Sequence, residues 1–162
     1  MLTCHSEPPW NERLAPCVHE AGHAVIAHAL GVQVISLITN PDGSGQSLIK
    51  EADPRTEVKI RVAGVISELR YCELVGGCPP DRHPTLSTSD DNERAWAAAK
   101  ELCSGSLAAA STLLVNMQSD VETMVAGWWS RIERVAIALC EAGRLTSQPL
   151  ADLLNGKSPS CG

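Results

Sequence analysis

Apolar residues recur three and four positions apart through most of this chain, and the places where that period breaks mark out its elements. Pro16 suits the first turn of a helix that carries "CVHEAGHAVIAHAL" to about Leu30, and Gly31 supplies its stop. "VQVISLIT", 32–39, abandons the helical period for β-branched residues and predicts a strand. "NPDGSG", 40–45, is turn chemistry, after which "QSLIK" can return as a second, shorter strand. Asp53-Pro54 then supplies a cap and a first helical position, with Glu57 in the first turn. Val58, Val62, Val65, Ile66 and Leu69 follow at helical spacing. "GGCPPDRHPTLS", 76–87, reads as a loop. Ser89 or Asp90 caps the next helix, "DDNERAWAAAKELC", with Asp90 and Glu93 in a capping-box pattern. From Ser106 to Gly143 the chain favours helix almost throughout and is expected in two pieces, before a short last helix, "PLADLLN".

The expected fold is therefore mainly α with a small β-sheet, an α+β domain spanning 12–156. Residues 1–11 form a polar, Pro-rich lead-in and 157–162 a frayed tail. No internal repeat or long linker divides the chain, and 162 residues suit one domain.

Composition sharpens this picture in three respects. With four Trp, one Tyr and no Phe, the core must rest on Leu, Val, Ile and Ala, which suits helices. A net charge of −6 argues against nucleic acid or an anionic membrane as partner, since both call for a basic patch. Seven cysteines, at 4, 17, 72, 78, 103, 140 and 161, are an odd number with no CxxC pair. They are expected to be reduced and to pack as small hydrophobes in a cytoplasmic protein. The N-terminus has no apolar core of the kind a signal peptide needs, and no apolar run approaches the roughly 20 residues that span a bilayer.

The first helix carries the candidate chemistry. His19 and His23 lie one turn apart, so both imidazoles project from one face. Two nitrogens so placed can bind one zinc ion, leaving positions for a third protein ligand and a water. Glu20 lies beside that face and need not bind metal; its carboxylate can take a proton from the zinc-activated water as general base. His-Glu-x-x-His is the arrangement of zinc hydrolases. His28 lies nearly opposite His19 on the helix and is excluded as a ligand, while His5 and His83 fall in loops. A third histidine at the HExxHxxGxxH spacing is absent, so the third ligand must come from further along the chain.

"HEAGHAVIAHALG", a strand, "AGVISEL" at 63–69 and "TSDDNERA" at 88–95, in that order, resemble the peptidase domain of the FtsH family. The resemblance covers roughly residues 12–156, strongest in HEAGH and the aspartate segment and limited to hydrophobic pattern in the last helices. It implies a zinc metallopeptidase with a zincin-type HExxH helix. His19 and His23 match the family's histidine ligands, Glu20 its catalytic glutamate and Asp91 its aspartate ligand. Glu68 matches a glutamate read as a partner for a ligating histidine. Asp90 is left as the helix cap. The family lays its peptide substrate along the edge of the small sheet, and the matching candidate here is the strand 34–38.

The chain departs from the family in lacking a GxxxxGK[ST] phosphate loop and room for the AAA ATPase module, so ATP dependence is not implied. Homo-oligomerisation and a separate ATPase partner both stay open. Two alternatives to a peptidase of unfolded polypeptides also stand. One is a non-catalytic zinc-containing adaptor that binds peptides or proteins, the other a zinc hydrolase of small amides. The natural substrate is not legible.

Overall fold

The structure, a computed structural model, describes residues 10–82 and 90–157. The chain runs α1 (Leu14–Ala29), β1 (Val34–Thr39), β2 (Gly45–Ile49), α2 (Pro54–Leu74) and a 3₁₀ turn at Pro80–Arg82. It continues with α3 (Asp90–Leu102), α4 (Leu107–Ala142), β3 (Arg144–Thr146) and α5 (Ser147–Leu154). It is mainly helical with one small antiparallel sheet, in agreement with an α+β reading. His5, His83, Ser89, most of the 1–11 lead-in and nearly all of the 157–162 tail lie outside the described residues. Trp10 and Asn11, expected in the lead-in, belong to the folded unit. The Asn11 carbonyl accepts the N–H groups of Leu14 and Ala15, and Trp10 stacks on Tyr71 with ring centroids 5.2 Å apart.

Gly22 sets how closely α1 and α2 pack. A Cβ on Gly22 would stand 2.8 Å from the Ala63 carbonyl oxygen and against the Ser67 hydroxyl. Only glycine lets the backbones come this near. α2 opens as its sequence predicts: Asp53 accepts from the N–H groups of Arg55 and Thr56, and Pro54 takes the first position. The main core joins Val18, Val25 and Ile26 of α1 to Val62 and Ile66 of α2 and to Val125, Ile132 and Leu139 of α4. A second, smaller core holds Val58, Ala98, Ala99, Ala110 and Met117, under α3 and the first half of α4.

Several expectations are corrected. The segment expected as two helices is one, α4, 36 residues long. No proline interrupts it, and Gly127 costs only about 1 kcal/mol in a helix interior. Its buried residues continue on one stripe from Ala110 to Leu139, which binds both halves to the protein. Ser106 caps its start and Gly143, at φ +70°, its end. Beyond that turn lies β3, which the sequence reading missed because three residues are too few to show a period.

β3 pairs with β1, matching Leu145 to Leu37, while β2 pairs with the other side of β1. The sheet order is β2-β1-β3, so β1, expected to be the edge, is central. The cysteines are corrected as well. Cys72 and Cys78 form a disulfide, their Cα atoms 5.2 Å apart. Gly76 and Gly77, both at positive φ, turn the chain back after α2 and bring the pair together. Cys17, Cys103 and Cys140 are free thiols. Among the described residues no helix is long and apolar enough to cross a membrane.

Candidate metal centre

His19 and His23 stand on the face of α1 that meets α2, their rings at 79° with centroids 4.8 Å apart. Each ring has one nitrogen already engaged. His19 Nδ1 lies 3.1 Å from Glu68 Oε2, and His23 Nδ1 donates to the Ile60 carbonyl at 2.7 Å. Both partners come from α2, and both leave Nε2 to face the same point. Asp91, in the first turn of α3, reaches that point from the other side: its Oδ2 lies 3.1 Å from His23 Nε2 and 3.4 Å from His19 Nε2.

These three residues form a group that could hold a metal ion. Ligand atoms on a tetrahedron with bonds of about 2.0–2.1 Å stand roughly 3.3 Å apart, and the two Asp91–histidine separations bracket that value. The floor of the site is clear for the same purpose. A Cβ on Gly64 would lie 2.5 Å from His23 Nε2 and 2.6 Å from His19 Nε2, in the space an ion needs. The donor set, two imidazoles and a carboxylate, suits zinc and other divalent ions of similar hardness.

Electrostatics agree with the geometry. Burial alone would lower the His19 pKa, but the Asp91 carboxylate and then Glu68 outweigh it and push it up to about 10. Burial would raise the Asp91 pKa, and the hydrogen bonds to His19 and His23 instead hold it well below the carboxylate range. Both shifts have one cause, a carboxylate and two imidazoles held close together, and that arrangement favours a positive charge between them.

Glu20 is buried on the adjoining face of α1. Its side chain packs against Gly45, where a Cβ would come within 2.7 Å of Glu20 Cγ and Oε1. A cavity of about 300 Å³ opens here, lined by Pro16, His19, Glu20, Gly43, Gly45, Glu68 and Asp91. His28 is at the far end of α1 and takes no part in the group.

Asp90 is corrected: it is the first residue of α3 rather than its cap, and its carboxylate lies 3.6 Å from Arg94 Nε on the surface. The reading of the sequence also missed Gly64, Gly45, the Ile60 carbonyl and Arg61. Arg61 donates from Nη1 to Asp91 Oδ1 at 3.1 Å and from Nε to Glu57 Oε1 at 2.6 Å. The Glu57–Arg61 half was visible as an i, i+4 pair; the reach to Asp91 was not. Compared with known proteins, the chain matches no protein-family model and no curated protein sequence.

Proposed function

We propose that this chain is a zinc-dependent metallopeptidase of the FtsH type. The observation that carries this reading is the convergence of His19, His23 and Asp91 on one point with Glu20 buried beside it at an open cavity. A zinc ion held by the three ligands would polarise the scissile carbonyl and bring the pKa of water to about 7. Glu20 is the general base: its carboxylate takes the proton of the attacking water and passes it to the leaving amine. Glu68 holds His19 by Nδ1 and the Ile60 carbonyl holds His23, so both rings keep Nε2 turned inward.

A peptide substrate would extend the sheet at β2, not at β1. β2 has β1 on one side only among the described strands, and its first residue, Gly45, adjoins Glu20. Main-chain pairing along that edge would recognise unfolded polypeptide with little regard for side chains. A cytoplasmic setting fits this reading, with the Cys72–Cys78 bond as the one feature that sits awkwardly with it.

The test is hydrolysis of unfolded casein and of short amides, with and without a chelator, alongside metal analysis. Chelator-sensitive cleavage of casein with about one zinc per chain is expected. Cleavage of short amides alone would make the protein a small-amide hydrolase, and binding of casein without cleavage would make it an adaptor. Glu20→Gln should keep its zinc while hydrolysis falls by about 10²–10⁴-fold, the usual loss with a general base. Retained activity in that variant would remove Glu20 from the mechanism.

A further inference from the structure

We infer that Arg61 is a positioning residue that turns Asp91 so that only one of its two oxygens meets the metal ion. This rests on the metal-site half of the proposed function and not on hydrolysis. A carboxylate rotates easily about its last bond, because that torsion is broad and shallow. The backbone of α3 therefore does not decide which oxygen of Asp91 faces the histidines. The side chain of Arg61 does. Its Nη1 holds Oδ1 at 3.1 Å, and Oδ2 is left at 3.1 and 3.4 Å from the two Nε2 atoms.

The arginine is itself fixed. Glu57, one turn earlier on α2, accepts from its Nε at 2.6 Å, and the Arg61 side chain is only 13% exposed. A guanidinium can serve two carboxylates at once because its donors form a planar fork; a lysine ammonium offers one point charge. Glu57 has a second effect. It offsets the positive charge that Arg61 brings close to a cation site, so orientation is gained with less repulsion.

The consequence is a limit on ligation. With Oδ1 occupied, the protein offers three donor atoms: two imidazole nitrogens and Oδ2. Were Asp91 free to turn, both oxygens could chelate the ion and take the position that a catalytic site must leave open.

The experiment uses the full chain stripped of metal, as wild type, Arg61→Met and Arg61→Lys. Zinc affinity is measured by competition with a chromophoric chelator, and each protein is also loaded with Co²⁺ for its visible spectrum. In Arg61→Met, zinc affinity should fall about 10–100-fold, as is usual when a partner of a ligand is removed. The Co²⁺ bands should weaken in the same variant as the carboxylate supplies a second oxygen. Arg61→Lys should change the Co²⁺ spectrum in the same direction, since it cannot hold Glu57 and Asp91 together. If Arg61→Met fails to fold, the lysine variant decides. Unchanged or tighter zinc binding with an unchanged Co²⁺ spectrum in folded variants would overturn the inference. A wild type that binds no zinc would overturn the metal site itself, whereas one that binds zinc without cleaving peptides would leave Arg61's role standing.

Discussion

The helix that carries the histidines sits in a core of Val18, Val25, Ile132 and Leu139; the helix that carries the aspartate adds Ala95 to that core and otherwise rests on a smaller one, Ala98, Ala99 and Ala110 with Val58 and Met117 for bulk. A fully buried Val, Leu or Ile contributes roughly 1.5–3 kcal/mol, and an alanine much less. The candidate metal centre therefore draws His19 and His23, with Glu20 beside them, from a helix set in the larger core, and Asp91 from one packed mainly on small side chains. α3 is joined to the rest by Ala95 in the main core, by Ala98 and Ala99 in the smaller one, and by the polar contacts of Asp91 with Arg61 and the histidines. A bound ion would act as the strongest tie between the two regions, stabilising the aspartate side more than the histidine side.

The largest expected effect comes from cutting that tie. Asp91→Ala should weaken zinc binding sharply and abolish hydrolysis, with α1 and α2 still folded by circular dichroism. Zinc retained near wild-type affinity would mean that the aspartate region is not part of the centre. Glu68 would then be the next candidate ligand.

Core truncations sharpen the contrast. Ile132→Ala should cost about 2–5 kcal/mol of stability, read from denaturant unfolding, with little change in the zinc affinity of the molecules that stay folded. Met117→Ala should fall in the same range, because Met117 is only 2% exposed. It should also weaken zinc affinity by loosening α3. Equal effects of the two substitutions on zinc would show that the two cores act as one.

A smaller effect follows from His19. Its folded pKa of about 10 exceeds the ordinary value of 6.5. In metal-free protein the stability gained from the protonated ring is whole below pH 6.5 and fades as pH rises through about 10. Zinc must displace that proton, so its affinity should rise by about tenfold per pH unit within this window, measured by chelator competition. A flat profile would mean that His19 is not a ligand.

The smallest effect is reserved for Asp90. Its carboxylate is exposed and pairs with Arg94 at the surface, so Asp90→Ala should cost under about 0.5 kcal/mol and leave zinc untouched. A cost of a lost cap, about 1 kcal/mol, would return Asp90 to the capping role that its sequence pattern first indicates.

The elements were legible wherever punctuation and period coincided. Asp53-Pro54 marks the start of α2, and the helical spacing of Val58, Val62 and Val65 marks its buried face. The histidine pair was legible because both residues belong to one helix, where spacing is direction. Arg61 and Gly64 were not, because their meaning depends on α3 and α1 lying against α2, a relation no local period encodes. The place of β1 failed for a related reason. A strand's own residues say that it is half-buried, but whether it is flanked on both sides depends on β3, far along the chain. The Cys72–Cys78 bond was missed by looking for CxxC spacing, when the informative feature was the pair of glycines between them.

That late strand also governs the order in which the protein can be made. Leu37 waits for Leu145, roughly a hundred residues downstream, before the sheet has its third member. Ile132, Val135 and Leu139, which cover α1, arrive only slightly earlier. Every donor of the metal centre has therefore been synthesised long before its scaffold exists. A nascent or truncated chain ending within the first half of α4 would carry His19, His23 and Asp91 with little to hold them in register. The candidate metal centre in such a scheme is assembled as one of the last events of folding, and no unfinished chain carries it in working order.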